Sequence, residues 1–164
     1  MTVARCGASR ARMLALVLLC AAAPAGAAAQ VAAAQRAVLV TGASSGIGRK
    51  ITERLASEGL FVYAGARSQI DLDDLNTIRN VQAIRLDVTV PADIAAAVVT
   101  VTKAGRGLHG VVNNAGVVIV APLIEAEEKG LDFIFGVNVY GPYRITKAFA
   151  PLLLESRGRV VNIS

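Results

Sequence analysis

The chain has 164 residues, of which 54% are hydrophobic and 18% are charged. This composition excludes a disordered tail, a collagen-like repeat and a disulfide-stabilised miniprotein, and the length allows one domain. The formal net charge is +5, but three arginines lie in the first 29 residues, which hold no acidic residue. The basic balance therefore does not predict a nucleic-acid-binding protein.

Residues 1–29 have the pattern of a secretory signal peptide. Three arginines precede an apolar run at Met13–Cys20, and small residues continue to Ala27 and Ala29, which form a candidate cleavage site. A membrane span needs about 20 apolar residues, and Pro24 interrupts this run early. We expect an exported, for example periplasmic, protein. The alternatives are a membrane anchor, or a cytoplasmic protein whose start is wrongly assigned.

From residue 36 onward, short runs rich in β-branched residues alternate with amphipathic segments. This alternation is typical of βαβ units, and the nearly continuous apolar runs indicate a parallel sheet covered by helices on both faces. Five strands are predicted, at Ala37–Thr41, Leu60–Ala66, Gln82–Leu86, Leu108–Asn113 and Arg159–Ser164. Four helical segments are predicted, at Ile47–Glu58, Asp71–Ile78, Pro91–Ala104 and Glu127–Leu154. The fold class is therefore α/β, with residues 30–164 as the folded domain.

The fifth predicted strand reaches the last residue, Ser164, with no turn or cap after it. It is predicted to be a buried strand, and natural domains seldom stop within one, because its apolar edge would be left unpaired. We therefore expect the chain to be the amino-terminal part of a longer protein, with its sheet truncated after the fifth strand.

A glycine-rich turn, Thr41–Gly48, follows the first predicted strand and opens the first predicted helix. Glycines permit a tight turn and a close approach of the backbone to a ligand, and the free N–H groups at a helix start favour an anion. The glycine spacing differs from the common dinucleotide fingerprint, and the Lys-Ser/Thr ending of a triphosphate-binding loop is missing. A purely structural turn is the alternative, but the position between strand and helix favours a phosphate site.

A second polar motif, Asn113–Gly116, ends the fourth predicted strand. Ligands of such sheets bind beyond the carboxyl ends of the strands, so the two asparagine side chains are expected to hydrogen-bond a ligand. An ordinary turn is the alternative, since Asn and Gly are common turn residues.

Four segments together resemble the short-chain dehydrogenase/reductase family: Thr41–Gly48, Asp87, Asn113–Gly116 and Val137–Gly141. The resemblance covers about residues 36–164. It implies a Rossmann-like, doubly wound parallel sheet, incomplete here, and a nicotinamide cofactor. It also implies hydride transfer between the alcohol and carbonyl forms of a small-molecule substrate, and a homo-oligomer in the intact protein.

The resemblance also implies roles for individual residues, and it implies no metal site. The residues that would hold the pyrophosphate and ribose are Gly42, Ser44, Ser45, Gly46, Ile47 and Gly48. Those that would flank the adenine or line the cofactor are Asp87, Val88, Asn114, Ala115 and Gly116. Asn138 corresponds to the family's catalytic asparagine, which holds a water in a proton relay.

The choice between NADP and NAD depends on the end of the second strand. An acidic residue there would accept a hydrogen bond from a ribose hydroxyl, whereas an arginine would pair with a 2′-phosphate. The segment Ala64–Arg67 holds one arginine, Arg67, and no acid. The sequence therefore favours NADP over NAD, the alternative being that Arg67 is a solvated loop residue.

The family's other catalytic groups are a serine and a Tyr-x3-Lys pair, and in this family they follow the position of Ser164. Tyr143 and Lys147 have the same spacing, but they precede the fifth strand and are assigned to a helix surface. The predicted function is a part of an NADP-dependent short-chain oxidoreductase, catalytically incomplete as given. The alternative is a non-catalytic dinucleotide-binding or interaction module.

Overall fold

The computed structural model describes residues 35–164, and the predicted leader lies outside them. The strands are β1 (Ala37–Val40), β2 (Phe61–Ala66), β3 (Val81–Arg85), β4 (Gly110–Asn113) and β5 (Arg159–Asn162). The α-helices are α1 (Gly46–Ser57), α2 (Gln69–Leu75), α3 (Pro91–Ala104), α4 (Glu128–Asn138) and α5 (Tyr140–Glu155). All five predicted strands are therefore present, with ends that move by one or two residues.

The five strands form one sheet in the order β3-β2-β1-β4-β5, and every neighbouring pair is parallel. After β3 the chain returns to the centre of the sheet and continues on the other side of β1. The strand order therefore reverses between β1 and β4, which is the place where sheets of this kind bind ligands. This topology confirms the predicted Rossmann-like α/β class.

Helices cover both faces of the sheet, as predicted. On one face, Tyr63 of β2 belongs to a buried cluster with Phe149 of α5 and with α3. On the other face, Val62 belongs to a buried cluster with Leu75 of α2 and with α1. The two clusters fix the helices against the sheet and so fix the positions of the loops at its carboxyl edge.

The prediction of one long helix over Glu127–Leu154 is wrong, because α4 ends at Asn138 and α5 begins at Tyr140. Pro142 explains the break. In a continuous helix its N–H would donate to the carbonyl of Asn138, but proline has no N–H and its ring collides with that carbonyl. The apolar periodicity runs through the break, so the pattern alone did not reveal it.

Two further differences between the predicted and observed helices each involve only a few residues. Helix α2 begins at Gln69, two residues before the predicted start, because Ser68 caps it: the Ser68 hydroxyl accepts from the Asp71 N–H at 3.2 Å. A single 3₁₀ turn at Leu123–Glu125 was not predicted, since three residues are too few to show a helical period.

All four residues of β5 are exposed within the described residues, whereas burial was predicted for this strand in the intact protein. This strand lies at the edge of the sheet and pairs with β4 on one side. Within residues 35–164, no helix combines the length and the apolar character that crossing a membrane requires.

Candidate functional site

A cavity of about 340 Å³ lies at the carboxyl ends of β1, β2, β3 and β4. All the cofactor-binding residues predicted from the sequence line it, except Gly46 and Gly48. The complete lining is Gly42, Ser44, Ser45, Ile47, Gly65, Ala66, Arg67, Leu86, Asp87, Val88, Asn114, Ala115, Gly116, Val117 and Val137. The structure thus brings together, at one site, segments that lie far apart in the sequence.

The glycine turn needs glycine for two different reasons. Gly42 and Gly46 have φ angles of 63° and 55°, in the left-handed region that favours glycine. Gly48 needs glycine for space: a Cβ there would lie 2.2 Å from the carbonyl oxygen of Gly42 and 2.3 Å from Nδ2 of Asn114. Gly48 therefore does not line the cavity, but it lets α1 approach the turn closely.

The start of α1 can receive an anion. Ser45 caps this helix without a side-chain hydrogen bond, and its first turn holds no acidic residue. The first N–H groups of a helix have no partner within the helix, and the helix dipole adds positive potential there. Ser44 and Ile47 line the cavity beside these groups, so this part of the cavity can receive an anion.

Thr41 joins the glycine turn to the end of β4. Its buried hydroxyl oxygen accepts hydrogen bonds from the backbone N–H groups of Asn114 and Ala115, both at 3.0 Å. The Asn114 amide donates in return to the carbonyl oxygens of Thr41 and Gly42, also at 3.0 Å. These bonds hold two walls of the cavity at a fixed separation.

The expectation that both asparagine side chains serve a ligand needs correction. The Asn114 amide bonds the glycine turn, although the residue does line the cavity. Asn113 is buried, and its amide donates to the Thr146 hydroxyl at 3.2 Å and to Oδ1 of Asn162 at 2.9 Å. Their donor groups therefore connect β4 to the turn, to α5 and to β5.

Asp87 is a charged group in the cavity wall, and its Oδ1 accepts from the backbone N–H and the hydroxyl of Thr89. Partial burial opposes its ionisation. The Thr89 hydrogen bonds and the charges of Arg67 and Arg85 outweigh this effect, so the pKa of Asp87 lies below its ordinary value. Asp87 is thus an anion at neutral pH, with two arginines in its surroundings.

Asn138, the predicted catalytic residue, lies outside the cavity lining, at the end of α4. Its side chain is paired with the backbone of Val117: Oδ1 accepts from the N–H at 2.9 Å and Nδ2 donates to the carbonyl at 2.8 Å. Val117 and Val137 both line the cavity, so Asn138 secures its wall. The position that would donate to the Asn138 carbonyl in a continuous helix is Pro142, which leaves this carbonyl available to another donor.

Tyr143 and Lys147 lie one turn apart on the exposed surface of α5, with Nζ of Lys147 donating to the Tyr143 hydroxyl at 3.3 Å. Neither residue lines the cavity. No group of three or more potential metal-ligating side chains (His, Cys, Asp or Glu) is found in residues 35–164.

Several residues of the cavity wall were not predicted from the sequence: Gly65, Ala66, Leu86, Val117 and Val137. Gly65 had a readable signal, because a glycine inside a strand often marks a close approach. A Cβ there would lie 3.0 Å from Cδ2 of Leu86 and 3.2 Å from the Val40 carbonyl oxygen. The apolar wall residues carried no comparable signal.

The sequence of this chain matches the family model described as short chain dehydrogenase, over residues 36–164. The chain is 38% identical, over 132 residues, to Short-chain dehydrogenase PC-15 of Penicillium crustosum, an alignment that covers 79% of this chain and 49% of that protein. It is 34% identical to the mitochondrial D-beta-hydroxybutyrate dehydrogenase of Rattus norvegicus, with 81% and 42% covered. The chain spans about half the length of the curated relatives it matches.

Solved structures agree with this match. A short-chain dehydrogenase from Streptomyces avermitilis superposes with a TM-score of 0.73 at 38% identity, covering 79% of this chain and 49% of that one. A variant of actinorhodin polyketide ketoreductase, determined with NADPH, superposes with a TM-score of 0.76 at 31% identity, covering 80% and 54%.

The fold therefore defines a Rossmann-like α/β domain with a cavity at the carboxyl edge of its sheet. The chain belongs to the short-chain dehydrogenase family, a family of oxidoreductases that use NAD or NADP. The resemblance inferred from the motifs is confirmed.

Proposed function

We propose that this chain is the nucleotide-binding part of an NADP(H)-dependent oxidoreductase that interconverts an alcohol and a carbonyl on a small molecule. The observation that supports the proposal most directly is that the glycine turn, the start of α1 and Arg67 line the same cavity. A turn that can bind phosphate and a cationic side chain in one cavity fit a dinucleotide. When bound, the nicotinamide supplies the hydride chemistry.

Arg67 supports NADP over NAD. It is exposed at the end of β2 and lines the cavity, and the segment Ala64–Arg67 contains no acid. The nearby Asp71 accepts a hydrogen bond from the Ser68 hydroxyl at 2.6 Å, within the cap of α2. A guanidinium at this position suits a 2′-phosphate, whereas an NAD site would place a carboxylate there.

The remaining site residues would contact different parts of the cofactor or support those that do. The first-turn N–H groups of α1 would bind the pyrophosphate, and Asp87 with Val88 would border the adenine. Asn114 would keep Ala115 and Gly116 against the cofactor through its bonds to the glycine turn. The freed backbone carbonyl of Asn138 suits the proposed role of holding a water for proton transfer.

Calorimetric titration of the 164-residue chain with NADP⁺ and NAD⁺ tests the cofactor. Arg67→Ala should weaken NADP⁺ by about 1.5 to 3 kcal/mol, because it removes a charge-assisted hydrogen bond, and should leave NAD⁺ unchanged. Arg79→Ala is the matched control, since Arg79 is an exposed arginine that precedes β3, at the other end of the strand. Equal losses for the two cofactors on Arg67→Ala would refute the assignment.

The first 29 residues carry a separate proposal, export with cleavage after Ala29. Its support is the order of three arginines, an apolar run and small residues. Mass spectrometry of the protein purified from its native source should find Gln30 at the amino terminus. A mature chain that retains Met13–Cys20 would contradict cleavage.

A further inference from the structure

Two arginines lie side by side near the cavity: Arg67 lines it, and Arg85, which is not part of the lining, lies next to Arg67. Arg67 follows β2 and Arg85 ends β3, and the β2–β3 ladder pairs Ala66 with Arg85. Nη1 of Arg85 donates to the backbone carbonyl oxygen of Arg67 at 3.0 Å. The guanidinium of Arg85 is therefore fixed beside the residue for which we propose the 2′-phosphate contact.

Both arginines keep their charge available. Each is exposed, and within residues 35–164 neither forms a salt bridge, whereas Arg49 and Arg54 on α1 are both paired with acids. The bond to the Arg67 carbonyl uses one of the five N–H donors of Arg85. Arg85 ends β3 two residues before Asp87, which lines the cavity, and the charges of both arginines lower the pKa of Asp87.

A phosphate monoester has a second pKa of about 6 and therefore carries a charge of about −1.5 to −2 at neutral pH. One guanidinium leaves about a third to a half of that charge without a partner. Two guanidinium groups on neighbouring strand ends match it, and planar forks of this kind bind phosphate oxygens in pairs.

We propose that Arg85 is a second determinant of NADP(H) recognition, which shares the 2′-phosphate with Arg67 and also holds the Arg67 backbone in place. This inference rests on the proposed function and deepens it. It differs from a purely structural role for Arg85, in which only its bond to the Arg67 carbonyl would matter.

Substitutions at Arg85 separate the two roles. Arg85→Gln keeps an N–H donor for the Arg67 carbonyl but removes the charge, whereas Arg85→Lys keeps the charge without the fork. The ligand pair is 2′,5′-ADP and 5′-AMP, which differ by the 2′-phosphate alone. Arg79→Ala again serves as the control for a lost surface arginine.

Calorimetric titration of the full chain should show that Arg85→Gln and Arg85→Ala weaken 2′,5′-ADP about tenfold and change 5′-AMP less than twofold. Arg85→Lys should recover part of the loss, and Arg79→Ala should change neither ligand. If Arg85→Gln binds 2′,5′-ADP like the unsubstituted chain, or if Arg85→Ala weakens both ligands equally, the inference is overturned.

The same titrations distinguish this failure from failure of the proposed function. If the chain prefers 2′,5′-ADP and loses that preference on Arg67→Ala but not on any Arg85 substitution, the proposed function stands and Arg85 has no share in it. If the chain shows no preference for 2′,5′-ADP, the NADP assignment fails and the inference fails with it.

Discussion

Two regions of the molecule differ in the burial and bonding of their side chains. At the cavity, Thr41 is buried and its hydroxyl bonds two backbone N–H groups, and Gly48 leaves no room for a methyl group. Two other segments, residues 118–124 and β5, expose apolar side chains, and we call them together the apolar flank. In that flank Val120 and Ile124 are 91% and 94% exposed.

The two regions therefore differ in how many of their side chains have partners within the described residues. The cavity geometry comes from strand ends and a turn that contact one another within the described residues. The flank presents apolar side chains to solvent, and an apolar surface of this kind promotes association with other chains. We therefore expect the isolated chain to self-associate through the flank while its nucleotide cavity is formed.

The largest expected difference in stability is between two lysine substitutions at paired residues of neighbouring strands, one buried and one exposed. Val112 of β4 pairs with Val161 of β5, yet their exposed fractions are 8% and 49%. Val112→Lys should cost several kcal/mol and unfold the chain, because it buries a charge without a partner. Val161→Lys should change the free energy of unfolding by less than about 0.5 kcal/mol and reduce self-association.

Urea denaturation measures the free energy of unfolding of the two variants, and sedimentation velocity measures their self-association. Similar destabilisation by both substitutions would mean that β5 is as buried as β4. Unchanged self-association in Val161→Lys would mean that the β5 edge does not drive it.

The close approach at Gly48 gives the next effect. Gly48→Ala should cost about 1 to 3 kcal/mol of stability, because the methyl group meets backbone that cannot move aside, and should abolish measurable NADP⁺ binding. Gly136→Ala in α4 is the control, since a Cβ there meets nothing within 4 Å. It should stabilise the chain by about 0.5 to 1 kcal/mol. Equal behaviour of the two variants in denaturation and titration would refute the packing argument.

Thr41→Val should cost about 1 to 3 kcal/mol, because it leaves the partly buried N–H groups of Asn114 and Ala115 without their acceptor. Thr41→Ser keeps the hydroxyl and should cost less than half as much. Thermal denaturation of both variants measures the difference, and a Thr41→Ser chain as unstable as Thr41→Val would show that the methyl group, not the hydrogen bonds, stabilises this wall.

Acid pH should weaken the cavity wall through Asp87, and this is the smallest effect. Its pKa is lower in the folded chain than the unfolded value of about 3.9, so ionised Asp87 stabilises the fold above about pH 4. That contribution is lost as the pH falls through the lower, folded pKa. Asp87→Asn should flatten the fall in unfolding free energy below about pH 4, relative to the unsubstituted chain. Urea denaturation at several pH values measures this, and the same pH dependence of the unfolding free energy with and without Asp87→Asn would contradict the prediction.

Much of the fold followed from local pattern. The alternation of β-branched runs with amphipathic segments predicted a parallel sheet, and the carboxyl ends of its strands then had to meet at one edge. The break at Val139 was missed because the apolar period continues across it, although Pro142 was visible in the sequence. The exposure of β5 depends on what lies beside it in the sheet, which its own composition does not report.

The site was predictable where a residue's role depends on backbone geometry, and less so where it depends on a distant partner. Gly42 and Arg67 were found by position in the turn and at the end of β2. The hydroxyl of Thr41 acts on residues 73 and 74 positions away, and no spacing rule indicates such a bond. The donors of Asn113 and Asn114 were assigned to a ligand for the same reason, since their protein partners are far apart in sequence.

The most direct test of the account is a two-dimensional NMR titration of the ¹⁵N-labelled chain with NADP⁺. The account predicts that shifts concentrate on residues 42–48, 67, 87–88 and 114–117, around the cavity. Tyr143 and Lys147 should remain unchanged. Shifts centred on Tyr143 and Lys147, or no shift at the glycine turn at millimolar NADP⁺, would contradict the assignment of this cavity as the nucleotide site.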